Sequence, residues 1–343
     1  MLIFADPCGK FYATTAQAVQ GIWNTLTAVV IKTSGLPAGN VEDTCFNIGG
    51  ANCELDVVVP STAGPYFFSA RWWFDTMLPN NAFFQFQDHN AQGQLTFSAN
   101  ANGTITVRRG SGAGVILGTS SLSSVLNLNA WNRVALKASI SSTVGVVGIQ
   151  INGVTVLTLT GQNTQTSGVQ DIGICRWVAG FPGVTEYLQS VYINDATGSF
   201  NNDYMGDLSW GVANASRPGS FAQFANNGAA TNWQCMADVT PDDLTTYVSD
   251  STPGHRTSVG YAAVASGTIP AIVHISRVAK SDAGSRTFAQ TLRSQTTDII
   301  GPTKAPTTSL SYYMQIVETD PVTGVPWTTG AANAVEGGIE TIA

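Results

Sequence analysis

Hydrophobic and polar residues alternate with a period of two along most of the chain, in short runs that end at Gly, Asn, Asp or Pro. This pattern is typical of antiparallel strands joined by turns, and helical periodicity is nearly absent. It predicts an all-β fold, with enough runs in the first half for a jelly-roll-sized sandwich. The strands predicted there span residues 28–32, 53–59, 66–74, 82–87, 94–99, 104–109, 131–140, 146–151, 154–160 and 188–193.

Turn chemistry fixes some of the strand connections. The Asn-Gly pairs at residues 102–103 and 152–153 each lie between two alternating runs, and such pairs supply the positive φ that tight hairpins need. We therefore predict a hairpin at each pair. Trp131 follows a turn and opens a strongly patterned strand, so it is predicted to be buried.

The second half has the same character after a cluster of turn residues at 194–198, where Pro-rich and Asp-rich connections begin. At 343 residues the chain is long enough for two domains. We predict a first domain over residues 1–196 and a second, smaller β-sandwich-like domain over 197–343. The elements predicted in the second are strands at 207–212, 259–265, 272–278, 286–292, 310–318 and 339–342, and a helix at 329–336 that ends at Gly337 and Gly338.

Composition narrows the class of protein. Charged residues make up 11% of the chain against a usual value of about 25%, while hydrophobic residues reach 43%, which is enough for packed cores. The net charge is −7 and no basic cluster exceeds Arg108-Arg109, so a nucleic-acid partner is not expected. The chain contains no long apolar run and no basic, apolar start typical of a signal peptide. We expect a soluble protein made in the cytoplasm, without membrane insertion.

The chain has five cysteines, an odd number and too few for a disulfide scaffold, so most are expected to be buried thiols. A hairpin that turned at residues 48–50 would place Cys45 opposite Cys53, at a spacing that permits a disulfide. A cytoplasm would keep this pair reduced, whereas exposure to air would oxidise it. The sequence leaves the state of the pair open.

Residues that could carry out catalysis are scarce. Glu54 and Asp56 alternate along a strand, as the acid and nucleophile of glycosidases on a sandwich do, but the run continues into Val57 without a third carboxylate. His89, His255 and His274 have no companion at metal-ligand spacing. Recognised nucleophile and cofactor motifs are missing as well. We therefore expect no catalytic site and no cofactor, with loop or core roles for the histidines.

Two kinds of binding site stay open. Oxygen ligands for calcium could come from Asp88 and Asn90 at one end, or at the boundary from Asn194 and Asp195 or from residues 201–203, although turn capping explains the same residues. Exposed aromatic rings could stack on a sugar, and Trp72 and Trp177, with Phe181 nearby, are the candidates. Because Trp73 follows Trp72 in a strand, one of the two faces away from the core, where it could equally form an interface.

Five short motifs mark residues 82–159: Phe-Gln-Phe at 84–86, Gly-Thr-Ile-Thr-Val-Arg at 103–108, Leu-Gly-Thr-Ser at 117–120, Asn-Ala-Trp at 129–131 and Ile-Asn-Gly-Val at 151–154. Through these motifs the first half resembles concanavalin A-like (laminin G-like) sandwich modules of phage structural proteins. Further motifs lie at 191–195, 202–207, 232–235, 245–248, 282–286 and 318–321, with Trp327. Through them the second half resembles the C-terminal part of phage virion proteins.

The resemblance implies a non-enzymatic virion protein assembled in the host cytoplasm. The leading hypothesis is a tail-associated appendage or fibre-type component, with the first domain attaching to a host surface glycan and the second anchoring or oligomerising it. Its partners would be other virion proteins and copies of itself, with a trimer favoured. The alternatives are a capsid decoration or head-fibre protein and a polysaccharide-degrading enzyme on the same fold, because a fold alone does not decide function.

Overall fold

The computed structural model describes residues 1–49, 52–76, 81–122, 125–166, 168–179, 183–238, 240–264 and 266–343. Strands account for 47% of the chain and helices for 4%, which confirms the predicted all-β class. Among the described residues, no helix has the length and apolar character needed to cross a bilayer. The chain divides into two compact units. The first consists of Met1–Lys10, Thr14–Val19 and Trp23–Trp210, and the second of Phe11–Ala13, Gln20–Ile22 and Gly211–Ala343.

Two antiparallel sheets build the first unit. Its elements are β1 (Leu2–Asp6), α1 (Thr15–Ala18), β2 (Thr25–Thr27), β3 (Val30–Lys32), β4 (Cys45–Asn47), β5 (Cys53–Thr62), β6 (Tyr66–Phe74), β7 (Asn81–Gln87), β8 (Gly93–Ala99), β9 (Ile105–Arg109), β10 (Val115–Thr119), β11 (Asn132–Ser139), β12 (Gly145–Ile151), β13 (Val154–Gln162), β14 (Ile172–Ala179) and β15 (Glu186–Asp195). The front sheet has the order β13-β12-β11-β6-β15-β4-β3, with β1 beside β15. The back sheet has the order β10-β9-β8-β7-β14-β5-β2.

Aromatic side chains hold the two sheets face to face. The ring of Phe68 on β6 lies 4.2 Å from that of Phe84 on β7, and the indole of Trp72 lies 4.9 Å from the ring of Phe83. Trp177 on β14 closes the cluster, 5.3 Å from Trp72. Each of these rings belongs to one sheet and contacts the other, so the core lies between the sheets. The first unit is a β-sandwich, as predicted.

The predicted hairpins form. At Asn152 and Gly153 both residues have positive φ, and Ile151 pairs directly with Val154. The connection at 102–103 is longer than a two-residue turn, because Ala99 pairs with Ile105 and the Gly103 amide donates to the Asn100 carbonyl at 2.9 Å. There only Gly103 supplies the positive φ.

The predicted hairpin between Cys45 and Cys53 is wrong. Cys45 lies on β4 in the front sheet and Cys53 on β5 in the back sheet, so the two residues are not cross-strand partners. Both are fully buried thiols, and burial raises the pKa of each to about 12. They act as small apolar side chains in the sandwich core.

The second unit is smaller and also β-rich. Its elements are β16 (Ala215–Ala222), β17 (Ala225–Asn227), α2 (Asn232–Cys235), β18 (Tyr247–Ser249), β19 (Arg256–Tyr261), β20 (Ile272–Val278), β21 (Phe288–Ser294), β22 (Thr297–Ile300), β23 (Ser311–Val317), α3 (Thr329–Ala334) and β24 (Glu336–Thr341). A five-stranded sheet has the order β16-β19-β24-β21-β22, and two strand pairs, β17-β18 and β20-β23, accompany it. Leu292, Val317, Trp327 and Val335 form a core that joins this sheet to β23.

Two predictions for the second half are wrong. Residues 207–212 form no strand, because their backbone bonds elsewhere: the Trp210 amide donates to the Glu42 carboxylate at 2.7 Å. Helix α3 forms but does not end at Gly337 and Gly338, which lie inside β24. A Cβ on Gly338 would come within 2.1 Å of the Thr257 carbonyl oxygen, so glycine is needed there for close strand packing.

Limited proteolysis is expected to cut first within residues 196–199, an exposed turn beyond β15. The two fragments are expected to stay together on a native gel and to separate under denaturing conditions. The reason is that Phe11 and Gln20 precede the cut in the chain but belong to the second unit. There the Gln20 carbonyl accepts from the Tyr312 amide at 2.6 Å, and the Phe11 carbonyl accepts from the Tyr312 hydroxyl at 2.9 Å. Cleavage scattered evenly along the chain would contradict both this expectation and the predicted division near residue 197.

Candidate functional site

The outer face of the front sheet, turned away from the core, carries a cluster of polar and aromatic side chains. Because neighbouring residues of a strand point to opposite faces, the burial of Trp72 places Arg71 and Trp73 on this outer face. Arg71 on β6 pairs directly with Arg133 on β11, so the two guanidinium groups share the face.

Residues 197–210, here called the covering segment, leave β15 and pack against this face. The Asn194 amide donates to the carbonyls of Asn201 and Asp203 at 2.7 and 2.8 Å. The Tyr192 hydroxyl donates to the Gly206 carbonyl at 3.0 Å, and the Tyr204 ring lies 5.2 Å from that of Phe67. The covering segment is therefore fixed at several points.

A cleft of about 300 Å³ remains open between the covering segment and the β12–β13 hairpin. Two arginines, an indole and an exposed amide give it a mixed aromatic and cationic character. It is lined by Arg71, Trp131, Arg133, Asn152, Gly153, Gly206 and Asp207. All of these residues belong to the first unit.

The two arginines of the cleft have different partners. Arg71 makes two hydrogen bonds to the Asp207 carboxylate, at 2.8 and 2.5 Å. Arg133 is 6% exposed and donates to hydroxyl groups instead, to Ser69 Oγ at 3.2 Å and Tyr192 Oη at 2.5 Å. Among the described residues, no carboxylate lies within ion-pair distance of Arg133. The cleft therefore contains one guanidinium that is paired with an acid and one that is not.

Trp131 is half-buried at the rim of this cleft, so the prediction that it is buried is wrong. The buried position belongs to the next residue, Asn132. Its side-chain oxygen accepts from the Asn127 amide at 2.7 Å, and its side-chain nitrogen donates to the Asn127 carbonyl at 2.8 Å. The alternation of the strand then places Trp131 and Arg133 on the outer face together. The sequence had this signal, because Val134, Leu136 and Ala138 alternate with Arg133, Lys137 and Ser139, which places Trp131 on the same face as Arg133.

The aromatic residues proposed as ligand platforms lie elsewhere. Trp72 and Trp177 are 0% and 1% exposed and pack against each other in the sandwich core, so they cannot stack on a sugar. Phe181 lies outside the described residues. Trp73 does face outwards, where its indole lies 5.5 Å from the Tyr187 ring.

The carboxylates considered for glycosidase chemistry are engaged by one arginine. Arg176 on β14 is the direct cross-strand partner of Asp56 and binds its two oxygens at 2.8 Å each. The same guanidinium lies 3.3 Å from Glu54 Oε1. This arrangement ties both carboxylates to a cation on the back sheet, away from the cleft.

The histidines lie apart from one another. His89 and His255 contact Asp171 and Asp250, with nitrogen–oxygen distances of 2.6 and 3.0 Å. His274 is buried, and this burial lowers its pKa to about 4, so it is neutral near pH 7. Within the described part of the chain, no three His, Cys, Asp or Glu side chains gather as a metal site.

The acidic calcium candidates, Asp88 and Asp195, cap turns of the backbone. Asp88 Oδ1 accepts from the amides of Asn90 and Gln92 at 2.9 Å each, while the Asn90 side chain is exposed. Asp195 Oδ1 accepts from the Thr197 amide at 3.0 Å and hydroxyl at 2.6 Å. Asn194 tethers the covering segment. The turn-capping interpretation accounts for these contacts, and calcium binding stays a prediction.

Comparisons with known proteins gave similarities of fold. A scan against protein-family models and a search of curated proteins found no match. A carbohydrate esterase from Shiga toxin-encoding bacteriophage phi24B is 12% identical, with a TM-score of 0.37, over 56% of this chain and 97% of that chain. A galectin from Caenorhabditis elegans is 13% identical, with a TM-score of 0.29, over 40% and 89%. The carbohydrate recognition domain of Emp46p is 10% identical, with a TM-score of 0.34, over 55% and 95%. Identities this low carry no activity, ligand or partner over to this chain.

Proposed function

We propose that the first unit is a glycan-attachment module whose binding site is the cleft on the outer face of the front sheet. The observation that carries this proposal is the combination of residues in the cleft. Trp131 offers an aromatic face for the apolar side of a sugar ring, and Arg71, Arg133 and Asn152 offer hydrogen-bond donors for its oxygens. An aromatic platform with a few convergent polar groups is the usual composition of a small-ligand site.

The wider role that we propose is attachment within a phage virion, without hydrolysis of the bound glycan. The protein would act as a tail-associated appendage that assembles as a homo-oligomer, with a trimer favoured. The resemblance of the two halves to phage structural proteins supports this role. The position of Glu54 and Asp56 supports binding over hydrolysis, because both carboxylates are paired with Arg176 on the back sheet and neither lines the cleft.

Replacing Trp131 by Ala is expected to abolish measurable binding to bacterial surface polysaccharides on an array, because the stacking surface is lost. Trp73→Ala is the matched control, since it removes a half-buried indole from the same face outside the cleft. Both variants are expected to keep a cooperative unfolding transition. Unchanged binding by Trp131→Ala would contradict the proposed site. Release of reducing ends from a bound polysaccharide, abolished by Glu54→Gln, would contradict the absence of hydrolysis.

A further inference from the structure

We infer that the ligand of the cleft is an acidic saccharide, whose carboxylate is bound by Arg133 together with Arg71. This inference rests on the proposed glycan-binding function and adds the chemical class of the ligand. It covers uronic acids and other sugars that carry a carboxylate.

The first argument is the placement of two like charges. Arg71 and Arg133 are direct cross-strand partners in an antiparallel pair, an arrangement in which like charges destabilise the sheet. Arg133 is also largely buried and has hydroxyl groups as partners. A buried charge without a counter-ion is costly to keep in a fold. Asp207 offsets the charge of Arg71 alone, so an anion bound between the two guanidinium groups would remove the cost that remains at Arg133.

The second argument is that Asp207 already occupies part of such an anion site. Its carboxylate forms the two-point contact with Arg71 that a sugar carboxylate would form. The Asp207 side chain is 48% exposed and lies on the covering segment, so solvent screening weakens this ion pair and a ligand carboxylate can exchange with it. Asp207 is therefore a competitor for the ligand carboxylate, and it shows that the geometry around Arg71 accepts one.

Other charges near the cleft are consistent with an anionic ligand. Glu42 lies within electrostatic reach of Arg71, but it does not line the cleft, and its Oε1 accepts from the Trp210 amide and the Ser190 hydroxyl. Lys137, two positions beyond Ala135 on the same strand face as Arg133, adds a positive charge near the ring of Phe67. Among the described residues, those that line the cleft include two cations, Arg71 and Arg133, and one anion, Asp207.

The test uses an array of bacterial polysaccharides in which every uronate-containing glycan is printed beside its carboxyl-reduced form. We expect the protein to bind carboxylated glycans and to lose binding when the carboxyl group is reduced. Arg133→Gln is expected to weaken this binding by at least about tenfold, since it removes a charged hydrogen-bond donor. Arg109→Gln is the matched control, because it removes the same charge from β9 in the back sheet.

Asp207→Asn provides a test that misfolding cannot imitate. It removes the competing carboxylate and is expected to tighten binding to carboxylated glycans by about two- to fivefold, the scale of a surface ion pair. Equal binding of native and carboxyl-reduced glycans, with no effect of Asp207→Asn, would overturn this inference and leave the proposed glycan site in place. A lack of binding to any printed glycan would overturn both.

Discussion

Replacing Trp72 by Ala is expected to lower the free energy of unfolding of the first unit by about 3–5 kcal/mol, the usual cost of removing a large buried aromatic side chain. Trp72 is fully buried, and its indole packs 4.6 Å from Phe74, 4.9 Å from Phe83 and 5.3 Å from Trp177. The substitution leaves a cavity at the point where the two sheets meet. It also removes the indole N–H that donates to the buried Glu186 carboxylate at 3.0 Å.

The matched control for this substitution is its neighbour. Trp73→Ala removes the same side chain from the outer face of the same strand, where the indole is only half-buried against Tyr187. Its cost is expected to be less than half of that for Trp72→Ala. Chemical denaturation followed by circular dichroism measures both. Equal losses for the two variants would show that the faces of β6 are assigned wrongly.

Strand β6 also shows how far the sequence determines this fold. Residues 66–74 are predicted as a strand and form one with the same ends, because a run rich in aromatic residues lies there between Pro65 and Asp75. β20 at Ile272–Val278 was predicted with its observed ends as well. Such strands are short β-rich runs bounded by turn residues, and these can be read without knowledge of the partner strands.

Strand β14 was missed because a bulge breaks its alternation. The register shifts between Ile172 and Ile174, and Gly173 stands where a Cβ would come within 2.7 Å of the His89 backbone. Both sides of β14 are paired, to β5 and β7, so its position depends on contacts distant in sequence. A period-two search cannot detect a strand whose phase changes at a bulge.

The candidate site was predicted only in part, for a related reason. Aromatic residue type alone indicates Trp72 and Trp177 as stacking surfaces for a sugar, whereas both are core residues of the sandwich. The cleft joins residues 71, 131–133, 152–153 and 206–207, which come together through the pairing of β6 with β11 and through the covering segment. The alternation of Val134, Leu136 and Ala138 with polar residues could have placed Trp131 on the outer face of the sheet. No local pattern indicates that Asp207 reaches Arg71.

Lowering the pH from 8 to 5 is expected to stabilise the first unit by about 3 kcal/mol through one buried carboxyl group, Glu186. Burial raises the pKa of Glu186 from its ordinary value of 4.5 to about 7, and the nearby charge of Asp75 adds to the rise, whereas the hydrogen bond from Trp72 opposes it. The side chain is 1% exposed. The difference between the folded and unfolded pKa values corresponds to about 3 kcal/mol.

The sign follows from proton uptake. Between pH 7 and pH 4.5 the folded protein binds a proton at Glu186 and the unfolded chain does not, so stability rises as the pH falls through this window. Above pH 7 both states are ionised and the folded state bears the cost of a buried charge. His274 in the second unit acts in the opposite direction, since its lowered pKa makes the unfolded chain bind a proton first below about pH 6.5.

The stability of the parent protein, compared with that of a Glu186→Gln variant at each pH, separates the contribution of Glu186 from that of His274. Glu186→Gln keeps a side chain of the same size, with an oxygen that can accept from Trp72, but carries no charge at any pH. This variant is expected to be about 3 kcal/mol more stable than the parent at pH 8 and to approach it near pH 4.5, where the stabilisation of the parent by proton binding is nearly complete. His274 is present in both proteins and cancels. Asp43→Asn, which removes a carboxylate that is 83% exposed, is the control and is expected to show no such convergence. If the Glu186→Gln variant is less stable than the parent at pH 8, the ionised carboxylate is stabilised in the folded protein. That result would contradict the expected cost of burying the charge of Glu186.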